Sequence, residues 1–301
     1  MDIIPRIKLS NGVEMPAIGQ GTYPMTGEVL YNAMRCAVDC GCTLFDTAHS
    51  YPNEQSIGDS LQRIYASTDL RRHDIFLTSK IGDRLDNGMP MGYYFYNSPS
   101  CPNRDHRQSV FTQVEESLAN LRTDYIDLLL IHWPYNDCLE EIWQAMEELY
   151  ARGTVRAIGV SNHRVRHLRR IMASASIKPM VDQMYISPLN TQATVTAFCR
   201  DEGIVPQAYS PLMFLRRGGA FASSADVADI CRRYGKSIQQ IVLRWDYQRG
   251  VVAIPKSAGE NHIRANYDIF DFTLQPDEMA LIESFNEDYQ YLPESVYCPG
   301  Y

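Results

Sequence analysis

The sequence predicts an α/β fold, a (β/α)8 TIM barrel with an N-terminal β-hairpin and extended loops. Three observations predict it. Eight short apolar runs alternate with helical patterns along the 301 residues. Most of those runs are continuously apolar, as strands buried on both faces are. No Gly/Ser linker or block of charge divides the chain, so residues 1–301 read as one barrel domain.

The opening segment 7–15 (IKLSNGVEM) holds an Asn11-Gly12 turn between two short extended runs, the pattern of a hairpin that closes one end of a barrel. Strands are expected at 17–22, 43–47, 75–79, 126–131, 156–160, 180–185, 204–208 and 251–254. After strand two, Asn53 is placed as an N-cap, and Ile57, Leu61, Ile64 and Tyr65 follow at helical spacing. Val110, Val114, Leu118 and Leu121 form a second stripe. Leu139, Ile142, Met146, Leu149 and Tyr150 form a third, closed by Gly153. These stripes read as core packing. The longest irregular stretch, 83–106, carries the adjacent aromatics Tyr93, Tyr94, Phe95 and Tyr96. It reads either as a packed surface excursion or as a lid over a pocket.

Composition narrows the function. Apolar residues at 45% and charged residues at 21% exclude a disordered chain. Lys and Arg number 28 against 36 Asp and Glu, and this formal charge of −8 offers neither a nucleic-acid face nor a polybasic membrane anchor. No apolar run approaches the roughly 18 residues of a membrane span. Pro5 and nearby charges break the start of the chain, which therefore lacks the pattern of a secretory signal; a cytoplasmic protein is expected. Eight cysteines without a CxxC spacing read as reduced, mostly buried thiols, with Cys36, Cys40 and Cys42 diverging across a helix end and a strand.

Chemistry in such a barrel sits where strands run into the following loops. Asp46 ends strand two and Tyr51 follows in its loop. Lys80 ends strand three, His132 strand four, and Ser161 with Asn162 strand five. Gln183 lies near the end of strand six, Tyr209 and Ser210 follow strand seven, and Lys256 and Ser257 follow strand eight. Each alone has a structural explanation, such as a capped turn or a packed histidine. Their recurrence at one end of successive units is the signal.

The segments DTAHSYPNEQSIG, LTSK, LLIHWP, GVSN and IPKS, in this order, resemble the signatures of the aldo-keto reductase family. The resemblance covers about residues 5–290 and is closest in outline to small bacterial members. It implies reduction of an aldehyde or ketone with NADPH, with NADH as the alternative donor. It further implies Tyr51 as general acid, Lys80 and Asp46 as the pair that tunes it, and His132 as the group that orients the carbonyl. Chemistry agrees: a phenol with an ordinary pKa near about 10 is made more acidic by a neighbouring ammonium.

By the same resemblance Tyr209 stacks on the nicotinamide, while Ser161, Asn162 and Gln183 hold its carboxamide. Gly21 and Thr22 lie near the cofactor, and Ser210 and Leu212 cover the pyrophosphate. Lys256 and Ser257 grip the 2′-phosphate, and Asn266 meets the adenine. The sequence departs from the family in two of these places. His262 stands where an arginine is frequent, and Ala265 where a glutamate is. The stretch between Lys80 and His132 is also longer than usual.

Tyr23, Trp133 and the 93–96 aromatics are expected to wall an apolar substrate pocket, with loop 213–221 and tail 291–301 closing it. Arg216 and Arg217 read as solvated charges, with attraction of an acidic substrate as the alternative, and the pair His163 and His167 as packing side chains with no metal. The expected partner is a small carbonyl compound, with no nucleic acid and no membrane, on a monomer or weak homo-oligomer. Other classes fit less well. No tyrosine has a lysine four residues on, as a short-chain dehydrogenase requires, and Gly19-Gln20-Gly21 lacks the third glycine of a dinucleotide fingerprint. A cofactor-bound regulatory subunit of the same fold is the alternative. A hydrolase built on paired carboxylates would need Glu54 beside Asp46.

Overall fold

The computed structural model describes residues 4–82, 105–135 and 138–292. The 93–96 aromatics, most of the 83–106 loop and the tail beyond 292 lie outside the described residues.

The chain opens on an antiparallel hairpin, β1 (Arg6–Lys8) and β2 (Glu14–Pro16), turned at Gly12 with φ +88°. Eight parallel strands follow: β3 (Gln20–Gly21), β4 (Leu44–Asp46), β5 (Phe76–Ile81), β6 (Leu128–Ile131), β7 (Ile158–Ser161), β8 (Val181–Tyr185), β9 (Val205–Tyr209) and β10 (Val252–Ile254). They are paired in chain order, and the Gly19 N–H donates to Ala253 O at 2.9 Å across the last seam. All eight expected strands are therefore present. Their buried patterns, BBBBBB in β5 and BBBB in β6, explain why the runs are continuously apolar: one set of side chains fills the barrel and the other meets the helices.

The helices are α1 (Gly27–Asp39), α2 (Glu54–Ser67), α3 (His106–Leu121), α4 (Leu139–Ala151), α5 (Val165–Ser174), α6 (Ala193–Glu202), α7 (Ala220–Ser223), α8 (Ala225–Tyr234), α9 (Ile238–Gln248), α10 (Glu260–Tyr267) and α11 (Pro276–Glu283). The one-helix-per-strand expectation needs correction after β9, where a 3-10 turn (Met213–Arg217) and α7 to α9 all precede β10. The stripes of α2, α3 and α4 do face the core; Ile57, Val114 and Met146 are fully buried. Helix α9 starts at Ser237, which takes the Gln240 N–H while Gln240 returns its side chain, a reciprocal cap.

The hairpin sits at the end of the barrel where the strands begin. Asn11 donates to Arg156 O at 2.8 Å, just before β7, and Met15 is buried against Gln207. Among the described residues no helix is long and apolar enough to cross a membrane. The described cysteines are free thiols, all buried except the half-buried Cys231. Cys36 and Cys40 do not diverge, as the spacing suggested. Four residues apart, Cys36 in the last turn of α1 and Cys40 at its C-cap, they interact with each other, and burial pushes both thiols up, Cys40 to about 11.

Two packing features carry testable consequences. At Gly58 on α2, an added Cβ would lie 2.3 Å from Asn120 O on α3, so only glycine permits this approach. Overpacking of this kind costs roughly 1–3 kcal/mol, more than the helix-propensity gain of about 1 kcal/mol for alanine. Gly58→Ala should lower the urea midpoint, and an unchanged or higher midpoint would contradict this contact. The second feature is His163, buried beneath the end of β7 with its Nδ1–H on Ser161 O at 2.7 Å. Burial pulls its pKa down to about 3 from 6.5. As pH falls below 6.5 the unfolded chain binds a proton that the folded chain refuses, so stability drops by up to roughly 1.4 kcal/mol per pH unit. Asp182 and Asp246, pushed up by burial, act with the opposite sign and gain relative stability as pH falls. Urea unfolding between pH 6.5 and 4 should therefore show a shallower acid loss in His163→Phe than in the parent; parallel slopes would refute it.

Candidate active site

Four strand ends deliver the central cluster. Asp46 is the last residue of β4 and Lys80 lies in β5, so neighbouring strands bring their side chains together inside the barrel. Lys80 Nζ donates to Asp46 Oδ1 and to Thr47 O, each at 2.7 Å. The pair is buried, with side-chain exposures of 1% for Lys80 and 6% for Asp46. Lys80 Nζ lies 5.2 Å from the centroid of the Tyr51 ring. The His132 ring meets the same phenol edge-on at 5.7 Å and 70°, and Tyr23 approaches from outside at 4.7 Å. The ammonium, the phenol and the imidazole thus share one pocket.

The loop that carries Tyr51 is fixed along its length. Thr47 N–H donates to Thr78 O and His49 N–H to Lys80 O, both at 2.9 Å, so the loop keeps the ladder of β5 past the end of β4. His49 also reaches Glu116 on α3 at 2.7 Å. Asn53 occupies the expected N-cap position of α2, with its carbonyl accepting from Ile57 N–H at 2.9 Å, but its side chain makes no capping bond. It turns inward instead. Its Nδ2 donates to Thr22 O and Thr22 Oγ1, and its Oδ1 accepts from Thr47 Oγ1, all at 3.1 Å. One buried amide therefore joins both ends of the tyrosine loop to the residue after β3. Thr22 Oγ1 in turn donates to Asp46 O at 2.7 Å.

The second carboxylate of the hydrolase reading is elsewhere. Glu54 Oε1 accepts from Ser79 Oγ at 2.7 Å, and Ser79 neighbours Lys80 on the strand, so it faces away from the barrel interior. Burial pushes the Glu54 carboxyl above its ordinary range. Asp46 and Glu54 form no pair.

Next to the cluster lies a rim of uncharged polar groups. Gln183 donates to Asp46 Oδ2 at 2.7 Å and to Gln207 Oε1 at 2.6 Å. Ser161 Oγ donates to Gln183 O at 2.8 Å. Asn162, at φ +62°, donates to His132 O at 3.1 Å and accepts from Tyr209 OH at 2.9 Å. Tyr209 is half-buried at the end of β9, followed by Ser210 at φ +50° and the half-buried Leu212. A narrow cleft runs from Trp133 and Asn162 past Tyr185 and Tyr209 to Tyr291. The Trp133 ring lies 6.3 Å from that of His132, and Tyr23, against Tyr51, is 44% exposed.

The remaining predicted residues extend from this rim. Gly21 N–H donates to Pro255 O at 3.1 Å, and a Cβ at Gly21 would lie 3.4 Å from Lys256 Cβ. Gln20 donates to Ser257 O at 2.9 Å. Lys256 is exposed and Ser257 half-buried, while on α10 His262 is exposed and Asn266 buried. Arg217 is not aimed at the cleft: it pairs with Glu287 at 2.7 Å and lies over the Tyr289 ring. His163 and His167 meet edge-on at 5.8 Å, and among the described residues no group of three or more His, Cys, Asp or Glu is placed to hold a metal ion.

Three residues of this site were not singled out from the sequence: Thr47, Asn53 as an inward tie, and Gln207. Inward alternation along β9 places Gln207 on the same face as Tyr209, and that period was the available signal.

Comparison with known proteins gives the family. The family model described as Aldo/keto reductase family matches residues 15–287. A glyoxal reductase of Bacillus subtilis is 37% identical over 283 residues, covering 94% of this chain and 93% of the relative. A methylglyoxal reductase of Escherichia coli is 31% identical over 290 residues, 96% of each chain. A Bombyx mori aldo-keto reductase solved in complex with NADP superposes with TM-score 0.84 at 30% identity, covering 98% of this chain and 97% of that one. Since the matched span takes in all eight barrel strands together with Asp46, Tyr51, Lys80 and His132, this chain belongs to the aldo/keto reductase family.

Proposed function

We propose that the protein reduces small aldehydes and ketones, dicarbonyls such as methylglyoxal among them, to alcohols with NADPH. The single observation that carries this reading is the buried Lys80–Asp46 pair beside the Tyr51 ring, an ammonium held close to a phenol. The names of the two bacterial relatives support the substrate class.

When bound, the reduced nicotinamide supplies a hydride to the carbonyl carbon. Tyr51 is the general acid: its hydroxyl proton passes to the carbonyl oxygen as negative charge builds there. Lys80 favours the phenolate form of Tyr51 and so eases that release. Asp46 and the Thr47 carbonyl hold Lys80 in place through two of its three protons. His132 orients the carbonyl oxygen. Tyr23 and Trp133 contribute apolar walls.

The residues at hand suit the dinucleotide. The rim of Ser161, Asn162 and Gln183 is made of amide and hydroxyl groups, the chemistry that matches a neutral carboxamide, and the half-buried Tyr209 ring offers a flat face beside it. Gly21, Thr22, Ser210 and Leu212 continue the cofactor track. Lys256 is the cation for a 2′-phosphate, with Ser257 beside it and His262 and Asn266 on the adenosine side. Lys256 favours NADPH; His262, where an arginine fork is frequent, narrows the margin over NADH.

Tyr51→Phe should lower turnover by roughly 10²–10⁴-fold, the usual contribution of a general acid, while NADPH binding measured by fluorescence stays within a few-fold. Full turnover in this variant would end the tyrosine assignment. A panel of aldehydes, ketones and dicarbonyls assayed with NADPH and NADH at equal concentrations should show the highest kcat/KM for small aldehydes with NADPH. No turnover on any carbonyl, or a preference for NADH, would overturn the corresponding part.

A further inference from the structure

Gln207 lies fully buried on β9, inside the barrel and below the level of Tyr209. Nothing in the mechanism above uses it. Its hydrogen bonds nevertheless connect to the catalytic pair in a chain whose direction chemistry fixes. Asp46, ion-paired with Lys80, is a carboxylate and only accepts. Its Oδ1 takes a proton from Lys80, so the group 2.7 Å from Oδ2 must be the amide nitrogen of Gln183. That nitrogen carries two protons. The second points to Gln207, whose Oε1 lies 2.6 Å away. Were the Gln207 amide turned over, two N–H groups would face each other. The turn is further disfavoured because the Gln207 nitrogen already faces the Met15 sulfur, a weak acceptor, at 4.0 Å.

We propose that Gln207 is a positioning residue for the reaction: by accepting one amide proton of Gln183 it holds the other on Asp46 Oδ2, and so limits how much of the carboxylate's charge is turned on Lys80. The inference rests on the proposed reduction for its kinetic readout only. Without the Gln207 acceptor, the Gln183 amide loses one of the two bonds that orient it and swings away from Asp46. The carboxylate then carries more of its charge toward Lys80 and offsets more of the ammonium's field at Tyr51. Gln183 and Asp46 are buried, so the lost bonds are not replaced by bulk water.

The test compares Gln207→Met, which keeps length and volume but has no strong acceptor, with Gln207→Glu, which keeps an oxygen facing Gln183. Gln207→Met should lower kcat roughly 10-fold, as expected for a buried polar group left without its partner, with KM for the carbonyl within twofold. The alkaline limb of kcat should move up by about half a pH unit. Gln207→Glu should recover most of the rate. Combined with Gln183→Met, the Gln207 change should add little further loss, because both act through one bond. Should Gln207→Met not fold, Gln207→Asn, one methylene short of contact, replaces it. A crystal structure of the variant reads the geometry without any assay: the Gln183 nitrogen should have left Asp46 Oδ2. An amide still on Asp46, additive rate losses, or equal losses in the Met and Glu variants would each overturn the proposal. A parent protein inactive on every carbonyl would instead overturn the proposed function, and the crystallographic comparison would still decide the role of Gln207.

Discussion

A buried ion pair between Lys80 and Asp46 is the constraint on which the rest of the site depends. Such a pair is a poor source of stability, because removing both charges from water costs several kcal/mol per ion before attraction returns it. What it provides is direction. Both oxygens of Asp46 are occupied, one by Lys80 and the other by Gln183, and Lys80 has a second acceptor in Thr47 O. A lysine on a flexible stem thereby becomes a fixed point charge beside an aromatic ring. The parallel barrel makes this possible, since β4 and β5 lie side by side in register and both side chains turn inward.

The phenol is held by a different device. Tyr51 lies on a loop, and loops are the mobile part of a barrel enzyme. Here the loop borrows rigidity from what surrounds it: backbone bonds to Thr78 and Lys80, the His49 contact with Glu116, and the Asn53 amide spanning Thr47 and Thr22. The charge is thus positioned by strands and the phenol by a polar clamp. The two meet because Thr22 and Asp46 also share a hydrogen bond.

Much of this was legible in the sequence, for identifiable reasons. Strands buried on both faces leave apolar runs that need no context, and the eight runs matched the eight strands. Asp46, Lys80 and His132 stood out because a charged or polar residue interrupts such a run at its end. What stayed hidden depends on side-chain direction. Asn53 precedes a helix and has capping chemistry, so local reasoning assigns it to the cap; only the tertiary fold shows that its amide has better partners inside. Gln207 sits within a strand where a polar residue looks like an exception to burial, and its partner is 24 positions away. Cys36 and Cys40 show the same limit, since their meeting depends on where α1 ends. The split of the β9–β10 connection into several short helices escaped notice because no single stripe there is long enough to set a period.

Burial of the lysine has one more consequence. Aldehydes condense with free amines to give imines, and reactive dicarbonyls glycate exposed lysines and arginines over time. A reductase of the proposed kind risks losing such an amine. Lys80 is shielded from that side reaction: its nitrogen is bonded to Asp46 and to Thr47 O, and its side chain is only 1% exposed. Exposed Lys256, by contrast, stays open to adduct formation.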